Sequence, residues 1–135
     1  MALPVTALYA ALLGLLYAVL TLLVVRGRFG SKVMLGTGQD KRLYRAVRAH
    51  ANFAEFVPLI LILMGLGEGM RLSSFLLHLL GAALVVARVL HAIGISREPD
   101  LSAARGGGAV LTVTVLIVAS IAVLLRALTA VAVLG

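Results

Sequence analysis

The chain has 135 residues, 62% of them hydrophobic, with a mean hydropathy of +1.15 and a formal net charge of +7. A soluble domain of this size has nothing to bury so much apolar surface against, so a membrane protein is expected. The chain contains no cysteine, which excludes disulfides and thiolate metal sites; any thiol chemistry must arrive with a ligand.

Four apolar runs, about 5–25, 45–66, 72–95 and 107–134, approach or exceed the ~20 residues a helix needs to cross a bilayer. Helices satisfy their backbone groups internally, as a membrane demands, so the expected fold is all-α: an integral-membrane four-helix bundle, one domain over 1–135. The first run is longer than a signal-peptide core and has no Lys or Arg before it, so it reads as a retained span. Tyr9 and Tyr17 on it suit packing or anchoring. Arg26, Arg28, Lys32, Lys41, Arg42 and Arg45 then crowd the first connection, where Gly36, Gly38 and Asp40 mark a turn-rich loop.

Pro58 is expected to kink the second helix. Gly65, Gly67 and Gly69 around Glu68 read as a short outer turn, with Glu68 and Arg71 as interfacial groups and Ser73 and Ser74 as candidate caps. Pro99 ends the third helix and disfavours helix at Glu98, and Gly106, Gly107 and Gly108 open the fourth. Arg97 and Arg105 flank that last connection. The charge bias puts connections 26–44 and 96–106 in the cytoplasm and both termini outward. Basic residues at helix ends answer to headgroups and topology, so no nucleic-acid partner is expected. His50, His78 and His91 lack metal-ligand spacing, and no metal site is expected.

Arg48, Asn52 and Glu55 recur at i, i+4 and i+7, and Arg45 joins their face. An ionisable group at membrane depth costs roughly 2.5–3.5 kcal/mol, so this face meets protein, water or a ligand rather than lipid. Arg26 and Arg28 close the first helix, Arg88 and His91 share a face of the third, and Arg105 starts the fourth. An excess of cations with one carboxylate and one amide suits an anionic ligand that also carries an ammonium. Glutathione is such a ligand, and a positioned guanidinium would lower the pKa of its thiol. Equally, Arg48 and Glu55 could form an interhelical ion pair and Asn52 an interhelical hydrogen bond, with no ligand involved. Polar helix faces on so small a chain are expected to be buried against further copies of it.

The stretch from Arg48 through His50, Asn52 and Glu55 to Pro58 resembles the helix-two signature of the MAPEG family, membrane-associated proteins in eicosanoid and glutathione metabolism, in its short bacterial branch. Arg88–Gly94 and Arg105–Gly108 are similar to the corresponding parts of helices three and four. The resemblance implies a homotrimer that holds glutathione between neighbouring subunits near the cytoplasmic side. It places Arg48, Asn52 and Glu55 in or beside the pocket, with Arg26 as a further basic contact and Arg28 as its fallback. His91, with Arg88 beside it, matches a ligand-contacting position, and Arg105 matches the arginine that stabilises the thiolate. Ile95 and Ala109 stand where eukaryotic members carry aromatic hydroxyls, Gly106 replaces a serine, and Ala51 an arginine.

The function so implied is a glutathione-dependent transferase or peroxidase of the bacterial inner membrane. Glutathione is its co-substrate, and its target is an apolar electrophile dissolved in the bilayer. The lost hydroxyls favour an alternative: a non-enzymatic trimer that binds an anionic lipid or acts as a structural partner. Four spans with no repeat and no broken-helix pair give a transporter little support.

Overall fold

The computed structural model describes residues 2–95 and 103–134. They form four helices: α1 (Pro4–Ser31), α2 (Lys41–Gly69), α3 (Ser74–Ile95) and α4 (Ala103–Leu134). Each is long and apolar enough to cross a membrane, and there is no strand among the described residues. The segment 96–102, with Arg97 and Pro99, lies outside them.

At one end of the bundle, three helices extend beyond the apolar runs. α1 continues to Ser31 rather than stopping near 25, α2 begins at Lys41 rather than 45, and α4 begins at Ala103 rather than 107. Hydropathy marks contact with hydrocarbon, whereas the backbone ladder continues into the headgroup layer wherever side chains can be solvated. The 29 residues of α2 span about 43 Å, well over a ~30 Å hydrocarbon core. These overhangs carry the basic residues.

Local chemistry sets the ends. Asp40 is the N-cap of α2, and its Oδ1 accepts the N–H groups of Arg42 (2.8 Å) and Leu43 (3.1 Å). α1 ends on Lys32 in the left-handed region (φ 55°), with the Val33 N–H donating to the Arg28 carbonyl at 3.2 Å. Gly36 and Gly38 also have positive φ, as the loop between α1 and α2 requires.

The glycines at 65, 67 and 69 do not form a turn: they lie inside α2. Gly67 is buried, and a side chain there would run into Leu72. The reversal falls later, where Arg71 adopts φ 60° and the Leu72 N–H reaches back to the Gly67 carbonyl at 2.9 Å. α2 also runs on through Pro58, which deprives the Ala54 carbonyl of its helical donor.

α1 packs on α2 and α3, and α4 on α3 and α2, while α1 and α4 share no contact among the described residues. Leu13, Phe53, Ile60, Met64, Leu77 and Leu84 fill the centre, and Leu15, Leu22, Ile62, Leu79 and Leu125 point outward as lipid-facing groups would. Tyr17 stacks on His50 (4.6 Å between centroids) and Phe53 (5.2 Å). The Tyr9 hydroxyl meets His78 Nδ1 at 3.1 Å, and its ring occupies the space that a side chain at Gly81 would need. Both tyrosines are packing groups.

Glu68 is more than an interfacial charge. Its carboxylate accepts the backbone N–H of Val5 (2.9 Å) and of Thr6 (2.7 Å), so the end of α2 caps the start of α1. Leu3, the N-cap residue of α1, provides no side-chain acceptor, and the positive end of the α1 dipole faces the carboxylate. Glu68→Ala should therefore cost about 1–2 kcal/mol in detergent-solution thermal unfolding, the usual worth of a cap, and Glu68→Gln should recover part of that loss. Unchanged stability in Glu68→Ala would mean that the clasp contributes nothing.

Candidate functional site

The cationic overhangs enclose two clefts. The smaller, about 380 Å³, lies between the start of α2, the end of α3 and the start of α4. Among the described residues, Lys41, Tyr44, Arg45, Arg48, Ile95 and Arg105 line it: four cations, one phenol and one aliphatic side chain. The larger, about 980 Å³, lies between the end of α1 and the start of α2, and Arg26, Lys41, Arg42 and Arg45 are among its walls. Lys41 and Arg45 border both.

Close helix contact puts Arg105 in the smaller cleft. A side chain at Gly94 on α3 would collide with the backbone of Arg105, and one at Gly108 would lie 2.6 Å from the Ala87 carbonyl oxygen. The two glycines let α3 and α4 meet backbone to backbone, and the first turn of α4 is thereby held over the end of α3.

One turn deeper along α2, about 6 Å beyond Arg48, sits a different group. Arg88 is 1% exposed. Its Nη1 donates to Asn52 Oδ1 (2.9 Å) and to Thr112 Oγ1 (3.4 Å), and Nη2 lies 3.3 Å from His91 Nδ1. A guanidinium can only donate, so His91 accepts through Nδ1 and keeps a ring proton on Nε2. The guanidinium also sits 5.6 Å from the centre of the Phe53 ring. Its Nε has no hydrogen-bond partner among the described residues.

The residues singled out in sequence thus fall into separate places. Arg48 and Arg105 share the smaller cleft, and Asn52, Arg88 and His91 form the buried cluster. Arg26 lines the larger cleft. Through Nη1, Arg28 holds the carbonyls of Val33, Met34 and Gly36, which fixes the α1–α2 loop. Glu55 is exposed on α2, as is Arg48, and no hydrogen bond or ion pair joins the two among the described residues. Asn52 does make an interhelical hydrogen bond, with Arg88 as its partner.

Lys41 was not among the expected site residues, whereas Tyr44, on sequence grounds an interfacial anchor or a pocket wall, is a wall of the smaller cleft. The signal for Lys41 was present: positions 41, 45, 48, 52 and 55 continue one helical stripe. Starting the helix at 45 cut it off. Among the described residues, no three of His, Asp and Glu gather closely enough to hold a metal ion.

A four-helix integral-membrane bundle with a cationic cleft at one end defines a class of protein, and the sequence defines it more narrowly. The MAPEG family profile matches residues 6–125, and the chain belongs to that family. It is similar to the inner membrane protein YecN of Escherichia coli K12, 34% identical over 90 residues that cover 67% of this chain and 69% of the relative. The protein of the same name in Escherichia coli O6:H1 matches to the same extent.

The buried cluster predicts a stability effect that needs no ligand. Asn52→Ala leaves Arg88 Nη1 with only the long contact to Thr112, which should cost about 1–3 kcal/mol in thermal unfolding of the ligand-free protein. Wild-type stability in that variant would show that the hydrogen bond is energetically idle.

Proposed function

We propose that the protein is a glutathione-dependent transferase or peroxidase of the bacterial inner membrane, working on apolar electrophiles as a homotrimer. The observation that carries this reading is the convergence of Lys41, Arg45, Arg48 and Arg105 on the smaller cleft in a MAPEG chain. Such a lining suits a ligand with two carboxylates and a thiol that must ionise. Inner-membrane residence agrees with the name of its relative YecN.

In this mechanism Arg105 donates to the thiol sulfur and favours its anion, the proton leaving to water. Arg48, with Lys41 and Arg45 beside it, takes the carboxylates, bidentate where the fork allows. Glu55 accepts the ammonium group. Asn52 spends its Oδ1 on Arg88 and orients the peptide through its amide N–H groups. The activated sulfur then bonds to the electrophilic carbon as the leaving group departs with its electron pair.

Glu55 is exposed at the middle of a spanning helix, and in this reading a neighbouring subunit covers it; Arg48, two turns nearer the basic end, lines the smaller cleft. Arg26, which lines the larger cleft of its own subunit, contributes only where a neighbour brings it to the ligand. α1 and α4 share no contact among the described residues of a subunit, and in the trimer they would pair across subunits as the entry path for the apolar partner.

Ile95 in the cleft wall favours the second reading, a non-enzymatic trimer that holds an anionic lipid headgroup there, because it offers no hydroxyl to a peptide ligand. The two separate by thermal shift: millimolar glutathione raises the melting temperature only under the first reading, since a ligand of the folded state stabilises it.

The direct test is the thiolate absorbance at about 240 nm when glutathione is added. A band is expected in the wild type and not in Arg105→Ala, whose turnover should fall about 10²-fold, the usual cost of losing one donor to a developing anion. Glu55→Gln should weaken binding with less effect on turnover at saturation. A full band in Arg105→Ala would remove that residue from the catalytic role.

A further inference from the structure

We propose that the larger cleft, between the end of α1 and the start of α2, is a binding site for an anionic diacyl phospholipid, separate from the thiol-ligand cleft. The site holds whether or not a thiol occupies its smaller neighbour.

Its shape and chemistry change along its depth. At the mouth stand Arg26, Lys41, Arg42 and Arg45, on helix ends that overhang the hydrocarbon. Asp40 is the one acid among the described residues of the lining, and it caps α2 by accepting the N–H groups of Arg42 and Leu43, so the cations of the mouth outnumber it. Deeper in, Leu20 and Leu23 on α1 and Ala46 and Ala49 on α2 replace the cations. Leu20 lies six residues above Arg26, about 9 Å along α1, which is hydrocarbon depth for a helix entering the membrane there.

A small free anion would use only the mouth. A phosphate diester carrying acyl chains uses both parts, with its charge among the cations and the start of its chains along the leucines. The α1 wall leaves room for it, since a side chain at Gly30 would meet nothing within 4 Å. The volume of about 980 Å³ is at the upper end for ligand sites, which run from roughly 300 to 1,000 Å³. A zwitterionic phospholipid would bring its own ammonium among four cations and gain less.

Arg42 distinguishes this cleft from the smaller one, because it lines only the larger; Arg48 lines only the smaller. The Arg42 side chain is exposed and the cap on Asp40 uses its backbone N–H, so Arg42→Gln keeps the helix start intact. The full-length protein in dodecylmaltoside micelles should retain dioleoylphosphatidylglycerol over dioleoylphosphatidylcholine, counted by native mass spectrometry. Arg42→Gln should weaken that retention about fivefold, the worth of one cation at an anionic membrane surface, and Arg48→Gln should leave it unchanged. Helical circular dichroism verifies that both variants are folded.

Equal retention of the two lipids would overturn the proposal. So would loss through Arg48→Gln rather than Arg42→Gln, which would put the headgroup in the smaller cleft. If glycerol phosphate alone protected the protein against heat as well as phosphatidylglycerol does, the site would be one for a free anion. None of these outcomes depends on a response to glutathione, which is read in the smaller cleft.

Discussion

A guanidinium inside a membrane bundle must find its hydrogen bonds within the protein, and Arg88 finds them on three helices. Asn52 belongs to α2, Thr112 to α4 and His91 to its own α3. The alternative for such a group is to be left unpaired at low dielectric, which is far costlier than the net worth of each bond. The cluster therefore sets the depth at which α2, α3 and α4 stand relative to one another. Thr112 is held in turn by its own bond to the Gly108 carbonyl, at one of the two glycines where α3 and α4 meet backbone to backbone.

That alignment decides what happens at the basic end of the bundle. With the three helices fixed in depth, the first turn of α4 lies against Gly94, and Arg105 joins the start of α2 around one cleft. α1 is placed by other means: aromatic stacking of Tyr17, the hydrogen bond from Tyr9, and the Glu68 clasp at the far end. One end of the bundle is thus closed by a carboxylate satisfied by backbone N–H groups, while the other gathers cations.

The two clefts share Lys41 and Arg45, so their electrostatics are not independent. An anion in either lowers the positive potential felt in the other. A membrane rich in anionic lipid would then weaken the pull on a second anion in the smaller cleft, and a lipid-poor detergent would strengthen it. Solution measurements on this protein belong in a stated lipid composition for that reason.

Much of this was legible in the sequence. Apolar runs of bilayer length dictate helices, because nothing else satisfies a backbone in hydrocarbon, and a stripe of Arg48, Asn52 and Glu55 cannot face lipid. The turn at Gly36 and Gly38 was equally plain, since those positions need positive φ. Helix ends were not: hydropathy falls where the helix leaves hydrocarbon, not where its hydrogen bonds stop, so Lys41 drops out of the expected site and the glycines at 65–69 read as a turn although they belong to α2. Which of the polar groups meet was decided only by tertiary structure. Periodicity gives the face of one helix, but the partner across a gap depends on the rotation and depth of another helix. Arg88 therefore pairs with Asn52, 36 positions away, while Arg48 and Glu55, on one stripe of one helix, form no pair with each other among the described residues.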